Sequence, residues 1–245
     1  MSDAETIERL WRIGWRGEAL PATGRRLARV VAQHRAGYEL HDGEQSFGAQ
    51  PAGHFLKRSL DPGERPAVGD FVEIEPGQPP HIVAVLPRRT VLSRAAAGER
   101  YARQVIATNI DCVLVLTGLD GDYSPARIER YLSLIEDSGA KPVVLLSKTD
   151  LHADAAERIA ELRARLAPGT AIHAVNGKDA ASAAQLAPYL QPGDSAVLVG
   201  SSGAGKSTLT NTLLGIDKMA TGAVRHHDSR GRHTTTHRAL LQLPT

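Results

Sequence analysis

Hydrophobic and polar positions fall into two textures along this chain. Between residues 24 and 93 the apolar runs are short and broken by Gly, Pro and Asp: 27–34, 38–41, 54–57, 68–75 and 82–86. Val72 and Ile74 alternate with Glu73 and Glu75, the two-residue period of a strand with one buried face. Asp42-Gly43 marks a turn between such runs. About five short strands in roughly 70 residues predict a small all-β barrel such as an OB-fold.

From Asn109 the texture changes. Nearly unbroken apolar strands, 112–117, 142–147, 171–175 and 196–199, alternate with stretches of helical period. The first helix opens at Ser124-Pro125 and runs through Arg130, Tyr131, Leu132 and Leu134; Ser suits the cap and Pro the first turn. The next helices are predicted at 153–166, 180–189 and 205–214. This alternation predicts a mostly parallel sheet covered on both faces. Residues 1–23 read as a helical arm whose Trp11 and Trp15, four apart, share one face and pack on the barrel. The predicted organisation is an arm 1–23, a barrel 24–93, a linker 94–105 and an α/β domain 106–245.

Composition narrows the picture. Hydrophobic residues make up 42% of the 245, enough for a sizeable core and too many for a disordered chain. The single cysteine, Cys112, excludes an intrachain disulfide and a Cys-rich zinc site, and its apolar strand makes it a core residue. Aromatics, at 4%, are too few for extensive base-stacking platforms. No apolar run reaches the roughly 18 residues of a membrane span, and none of signal-peptide length follows the acidic start, so a soluble cytoplasmic protein is expected. Twenty-nine basic and 27 acidic side chains leave a net charge of only +2. Locally, Arg88, Arg89, Arg94, Arg100 and Arg103 face only Glu99, and residues 225–238 hold four Arg and four His against one Asp. Each run reads either as solvated surface or as contact with phosphate backbones.

Gly200-Ser201-Ser202-Gly203-Ala204-Gly205-Lys206-Ser207 matches G-x-x-x-x-G-K-[ST], between a predicted strand and a predicted helix. Glycines let backbone N–H groups turn inward around phosphate oxygens, and the helix N-terminus adds its positive end. Lys206 is expected to bridge the β- and γ-phosphates and Ser207 to bind Mg²⁺, with Thr208 next in the helix. This motif specifies a nucleoside triphosphate without choosing its base.

Ser147-Lys148-Thr149-Asp150 follows an apolar strand and resembles the guanine-reading [Asn/Thr]-Lys-x-Asp motif of small GTPases. A carboxylate at Asp150 accepts from guanine N1–H and N2–H₂, a donor pair adenine lacks. Lys148 lays its alkyl stem over the base. Ser147 keeps a hydroxyl but lacks the amide of the usual Asn. Lys148 precedes Lys206 by 58 residues, the reverse of the common order and the order of circularly permuted GTPases. Asn176-Gly177 would then be the loop backing the base.

Six stretches in order strengthen the match: 67–72 (AVGDFV), 85–90 (VLPRRT), 104–111 (QVIATNID), 128–132 (IERYL), 200–208 (GSSGAGKST) and 231–236 (GRHTTT). The chain resembles the ribosome small-subunit-dependent GTPase A (RsgA/YjeQ) family. The resemblance implies an OB barrel that binds 16S rRNA, with Arg88 and Arg89 as contacts. It also implies a permuted GTPase hydrolysing GTP to GDP in late maturation of the small ribosomal subunit, and a zinc domain further on. It makes 231–236 a switch loop, in which Thr234, Thr235 or Thr236 reaches Mg²⁺ and His233 and Thr235 lie near the γ-phosphate. Asp228-Ser229-Arg230-Gly231 spells D-x-x-G, but Arg225, His226 and His227 stand where a buried strand should lead in. Residues 239–244 read as the first strand of a hairpin whose returning strand, bearing the genuine D-x-x-G, is not in the sequence. A shortened, incomplete GTPase domain is therefore expected: monomeric, mobile from about residue 220, its segment 239–244 without a partner, binding GDP and hydrolysing GTP weakly. Two other readings stay open: a P-loop ATPase or kinase with Asp150 incidental, and a nucleotide-gated RNA-binding module.

Overall fold

The computed structural model describes residues 2–17, 20–95, 103–121, 123–216 and 239–244. They divide into two units: those within Met1–Ile110, Pro192–Ser195 and His237–Leu241, and those within Asp111–Gln191, Ala196–Thr236 and Gln242–Thr245.

The first unit begins with helix α1 (Asp3–Arg12), started by a capping box. Ser2 Oγ accepts from Glu5 N–H at 3.3 Å, and the Glu5 carboxylate accepts from Ser2 N–H at 2.7 Å. The helix stops before Trp15, so the two tryptophans do not share a helical face. Trp15 meets Phe71 edge-on at 5.0 Å, as expected of a residue packed on the barrel, but Trp11 is exposed.

Strands β1 (Arg26–His34), β2 (Gly37–His41), β3 (Ser46–Pro51), β4 (Phe71–Glu75) and β5 (His81–Val85) close into a barrel in the order β1-β2-β3-β5-β4. This is the predicted OB-like barrel with one strand exchanged. Residues 54–57 are not a strand: 54–56 lie in a 3₁₀ turn, Gly53–Leu56, with Lys57 as its C-cap, and Phe55 is buried while Leu56 faces out. The fifth strand is β3, which its polar and small residues concealed; backbone pairing to β2 and β5 makes it a strand. Ala28, Val30, Leu40, Val72 and Ile82 form the centre of the core.

The predicted linker 94–105 is strand at both ends, and its residues 96–102 lie outside the described residues. Strands β6 (Val91–Ala95) and β7 (Arg103–Thr108) form an antiparallel pair with Leu92 and Ala107 buried. Arg94 can sit on such a strand because cross-strand bonding satisfies its backbone while its charged head is exposed. The start of the segment 239–244, expected to lack a partner, does find one. Ala239 bridges Ala32, and Leu240 N–H donates to the Val31 carbonyl at 2.7 Å. Strand β4 covers β1 only along Arg26–Arg29, and β1 is bulged at Val30/Ala32, so an edge remains for this segment.

The second unit is a parallel sheet in the order β10-β9-β8-β11, formed by β8 (Cys112–Gly118), β9 (Lys141–Ser147), β10 (Ala171–Val175) and β11 (Ala196–Gly200). Alternate residues serve opposite faces. Leu114, Leu116, Val143 and Leu145 pack toward Leu186 and Leu209, while Val144 and Leu146 pack toward Ile128 and Leu162. Helix α2 (Pro125–Glu136) starts as predicted, with Ser124 Oγ accepting from Arg127 N–H. Helix α3 (Ala155–Arg165) also falls in place. The expected helix 180–189 is a single turn, α4 (Ala180–Ala183), followed by a 3₁₀ stretch, because Pro188 has no N–H for a continuing α-helix. Helix α5 (Lys206–Leu214) follows β11.

Candidate functional site

The carboxyl ends of the parallel strands bring the site together. Strand β11 ends at Gly200, whose φ is +148° and where any Cβ would fall on the Leu116 carbonyl of the neighbouring strand. Only glycine lets the chain leave the sheet there. The loop turns back through Gly203 and Gly205, both at positive φ, with Gly205 as N-cap of α5. The first amides of α5 have no carbonyls of the helix to bond, so they and the helix's positive end face the loop. Lys206 Nζ donates to the carbonyls of Gly200 at 2.9 Å and Ser201 at 2.6 Å, and the loop wraps its ammonium. Ser207 follows, half-buried in the first turn; Ser202 and Gly203 are exposed.

Strand β9 ends at Ser147, which is buried, and its Oγ donates to the Ala204 carbonyl at 2.7 Å. The hydroxyl alone thus ties the end of β9 to the Gly-rich loop, without the amide of an Asn. Lys148 takes φ +60°, and the turn that follows leaves Asp150 exposed at the rim. Beyond β10, Asn176 N–H donates to Ser182 Oγ at 2.8 Å, and Asn176 Oδ1 accepts from Lys178 N–H at 3.1 Å. Thr212 of α5 donates to the Gly177 carbonyl at 2.6 Å, fastening this loop to the helix that carries Lys206.

These segments enclose a cavity of about 240 Å³. Of the predicted residues, Ser147, Lys148, Asp150, Asn176, Gly177, Ala204, Gly205 and Thr208 line it. Leu116, Leu151, Lys178 and Leu209 line it as well and were not foreseen. Leu151 is the informative omission: it is 69% exposed, and a large apolar side chain beside Asp150 offers a flat ring an apolar edge. Its only sequence signal was adjacency to the motif.

Gly200, Ser201, Ser202, Gly203, Lys206 and Ser207 continue from the cavity as the Gly-rich loop and the start of α5. The cavity thus adjoins the Gly-rich loop and the start of α5, although the segments building them come in the reverse of the common motif order. The RsgA GTPase family model matches residues 85–245. The chain belongs to the RsgA GTPase family.

The chain is 54% identical to the small ribosomal subunit biogenesis GTPase RsgA of Xanthomonas campestris pv. campestris (strain B100), over 93% of its own length. The same-named protein of Xanthomonas oryzae pv. oryzae (strain MAFF 311018) is 53% identical over the same share. The chain spans 61% of the length of these relatives. Among solved structures, YjeQ from Thermotoga maritima superposes with a TM-score of 0.60 at 26% identity, covering 77% of this chain and 64% of that one. YloQ, a circularly permuted GTPase, superposes at 0.55 and 20% identity, covering 82% and 67%, and shows the fold alone.

His233, Thr234, Thr235 and Thr236 lie outside the described residues, so no geometry attaches to the switch-loop reading. The two predicted RNA contacts separate. Arg88 spends four hydrogen bonds inside the barrel unit: a fork on Asp70 at 2.7 and 2.8 Å, and one each to the carbonyls of Gly63 and Arg65. Four of the five guanidinium N–H donors are thereby committed, which makes Arg88 a packing cation rather than a phosphate contact. Arg89 is exposed, and its backbone N–H donates to Asn109 Oδ1 at 2.9 Å.

Proposed function

We propose that the chain binds guanine nucleotides in this cavity. We propose further that, within a protein of its family, it hydrolyses GTP to GDP and phosphate in late maturation of the small ribosomal subunit, acting on 16S rRNA through the barrel. The carrying observation is the cavity itself, lined by Ser147, Lys148 and Asp150 from one strand end and by Ala204, Gly205 and Thr208 from the phosphate loop.

Asp150 accepts the two guanine donors, Lys148 and Leu151 flank the ring, and α5 receives the phosphates on its amides and Lys206. Attack on the γ-phosphate is by water, aided by positioning and charge stabilisation. Ser207 supplies a single hydroxyl, and among the described residues no group of three or more His, Cys, Asp or Glu could cage a metal ion. That donor set fits Mg²⁺, which keeps waters and takes phosphate oxygens, and whose charge offsets that of the phosphates. A zinc domain belongs to the same reading and rests on the family resemblance. Among the described residues no helix is long and apolar enough to cross a membrane; a monomer in the cytoplasm is the expected state.

Competition against a fluorescent GDP tests the base reading. GDP should displace it at concentrations about 100-fold below those of ADP, and Asp150→Asn should abolish most of that preference. Equal displacement by ADP would leave the P-loop ATPase or kinase reading in its place.

A further inference from the structure

Lys148 lines the cavity, yet its ammonium does not point at Asp150. Nζ pairs with Asp120 Oδ2, a carboxylate that is not among the cavity-lining residues. The strand ends make this meeting. Strands β8 and β9 run parallel with Gly118 opposite Ser147, so Asp120, two residues past Gly118, lies beside Lys148, one residue past Ser147. The backbone between is pinned. Leu119 N–H donates to the Ser147 carbonyl at 3.0 Å, the Leu119 side chain is fully buried, and its carbonyl accepts from Arg158 at 2.9 Å. The Asp120 carboxylate folds back over Gly118, where a Cβ would come within 3.0 Å of Oδ1 and 3.4 Å of Oδ2. A glycine there leaves the room the carboxylate uses. Lys148 is itself held at φ +60°, a region non-glycine residues rarely occupy.

We propose that Asp120 is a positioning residue for base recognition: it stretches the Lys148 stem along the cavity wall and keeps the ammonium off Asp150. This rests on the guanine reading and deepens it. Two effects follow from the geometry. First, a lysine side chain loses considerable rotamer freedom when a ligand orders it, and a stem already tethered loses little. Second, an untethered ammonium two residues from Asp150 would pair with the carboxylate that must accept from guanine N1–H and N2–H₂. The pair is only partly buried, with side-chain exposures of 24% for Lys148 and 32% for Asp120, so its worth lies in orientation more than in stability.

A double-mutant cycle on the full chain, read as GDP affinity by fluorescent-nucleotide titration, tests this. Asp120→Asn should weaken GDP about 3- to 10-fold. In a Lys148→Met background, which keeps the stem and drops the ammonium, Asp120→Asn should cost nothing further. Asp120→Glu should recover affinity to within about 2-fold of the parent. Tripolyphosphate, which has no base, should bind the parent and Asp120→Asn equally. Additive losses in the cycle, or an equal loss for tripolyphosphate, would overturn the proposal while leaving GDP preference standing. A parent chain that takes ADP as readily as GDP would overturn the guanine reading and this inference with it.

Discussion

Among the described residues, the four buried charged side chains, Arg29, Asp42, Asp70 and Glu73, all belong to the barrel unit, whereas the parallel-sheet unit buries only Thr117, Ser138, Ser147 and Asn211 among polar groups. The barrel's short strands meet at tight corners where backbone groups need partners, and charged side chains supply them. Asp70 accepts from Ala67 N–H at 2.8 Å and from Arg88, and Asp42 accepts from the N–H groups of Glu44 and Gln45, each at 3.0 Å. Arg29, 1% exposed, donates to the carbonyls of Ile13, Gly69 and Asn109 and to Ser195 Oγ. The parallel sheet closes its strands with apolar side chains and leaves its charges, Lys148, Asp120, Asp150 and Lys206, at the strand ends. Buried charge therefore holds the barrel, whereas the charges at the strand ends of the parallel sheet are the ones the proposed function uses.

Substitutions can break or sharpen that contrast. The largest effect is expected at Asp70→Ala, which removes the buried carboxylate that holds the partly buried Arg88 guanidinium and the Ala67 N–H. The barrel should lose about 3–5 kcal/mol in urea unfolding, with GDP affinity unchanged. A variant that keeps its stability but loses GDP would erase the distinction. Lys206→Ala should do the reverse, weakening GDP about 100-fold in equilibrium titration while leaving nucleotide-free thermal unfolding where it was.

Asp42 comes next. Burial alone would raise its pKa, but the Gln45 N–H, the Arg26 guanidinium and the Glu44 N–H together outweigh burial and hold it at about 2, against 3.8 for an ordinary Asp. A depressed carboxylate stabilises the fold above its unfolded value, and the contribution is lost as pH falls from about 4 toward 2. The shift corresponds to about 2 kcal/mol. Asp42→Asn should remove that amount at pH 7 and flatten the acid limb of the stability profile, read by urea unfolding at pH 7, 4 and 2.5. Ser147→Ala should have the smallest effect, about 1 kcal/mol, seen as a roughly 5-fold weaker GDP titration because the Ala204 carbonyl loses its donor.

Legibility followed the same divide. All four parallel strands could be read to within about a residue, because a strand buried on both faces must be apolar throughout. In the barrel, β3 is hard to read because its alternation, Phe47 and Ala49 between Ser46, Gly48 and Gln50, holds a single large apolar side chain, and residues 54–57 resemble a strand fragment because Phe55 and Leu56 are adjacent. The hairpin at β6 and β7 was hidden by arginines that strand pairing tolerates. At the site, most of the predicted lining residues come from the two motifs 147–150 and 200–208, and Asn176 and Gly177 come from their place after the third parallel strand. Leu151, Leu209 and Asp120 carry no such spacing, and only folding sets them beside the cavity or beside Lys148.

By itself, the sequence determined the class of each unit, the Gly-rich loop 200–207, the segment 147–150 that resembles a guanine-reading motif, and their order, since period, glycine placement and motif spacing are local properties of the chain. Only the tertiary structure decided that Ser147 bonds the Ala204 carbonyl, that Arg88 is consumed by Asp70, and that Asp120 holds Lys148. Each of those contacts joins residues 18 to 57 positions apart. Which distant side chains meet is set by strand register and sheet order, and neither is written in any single stretch of sequence.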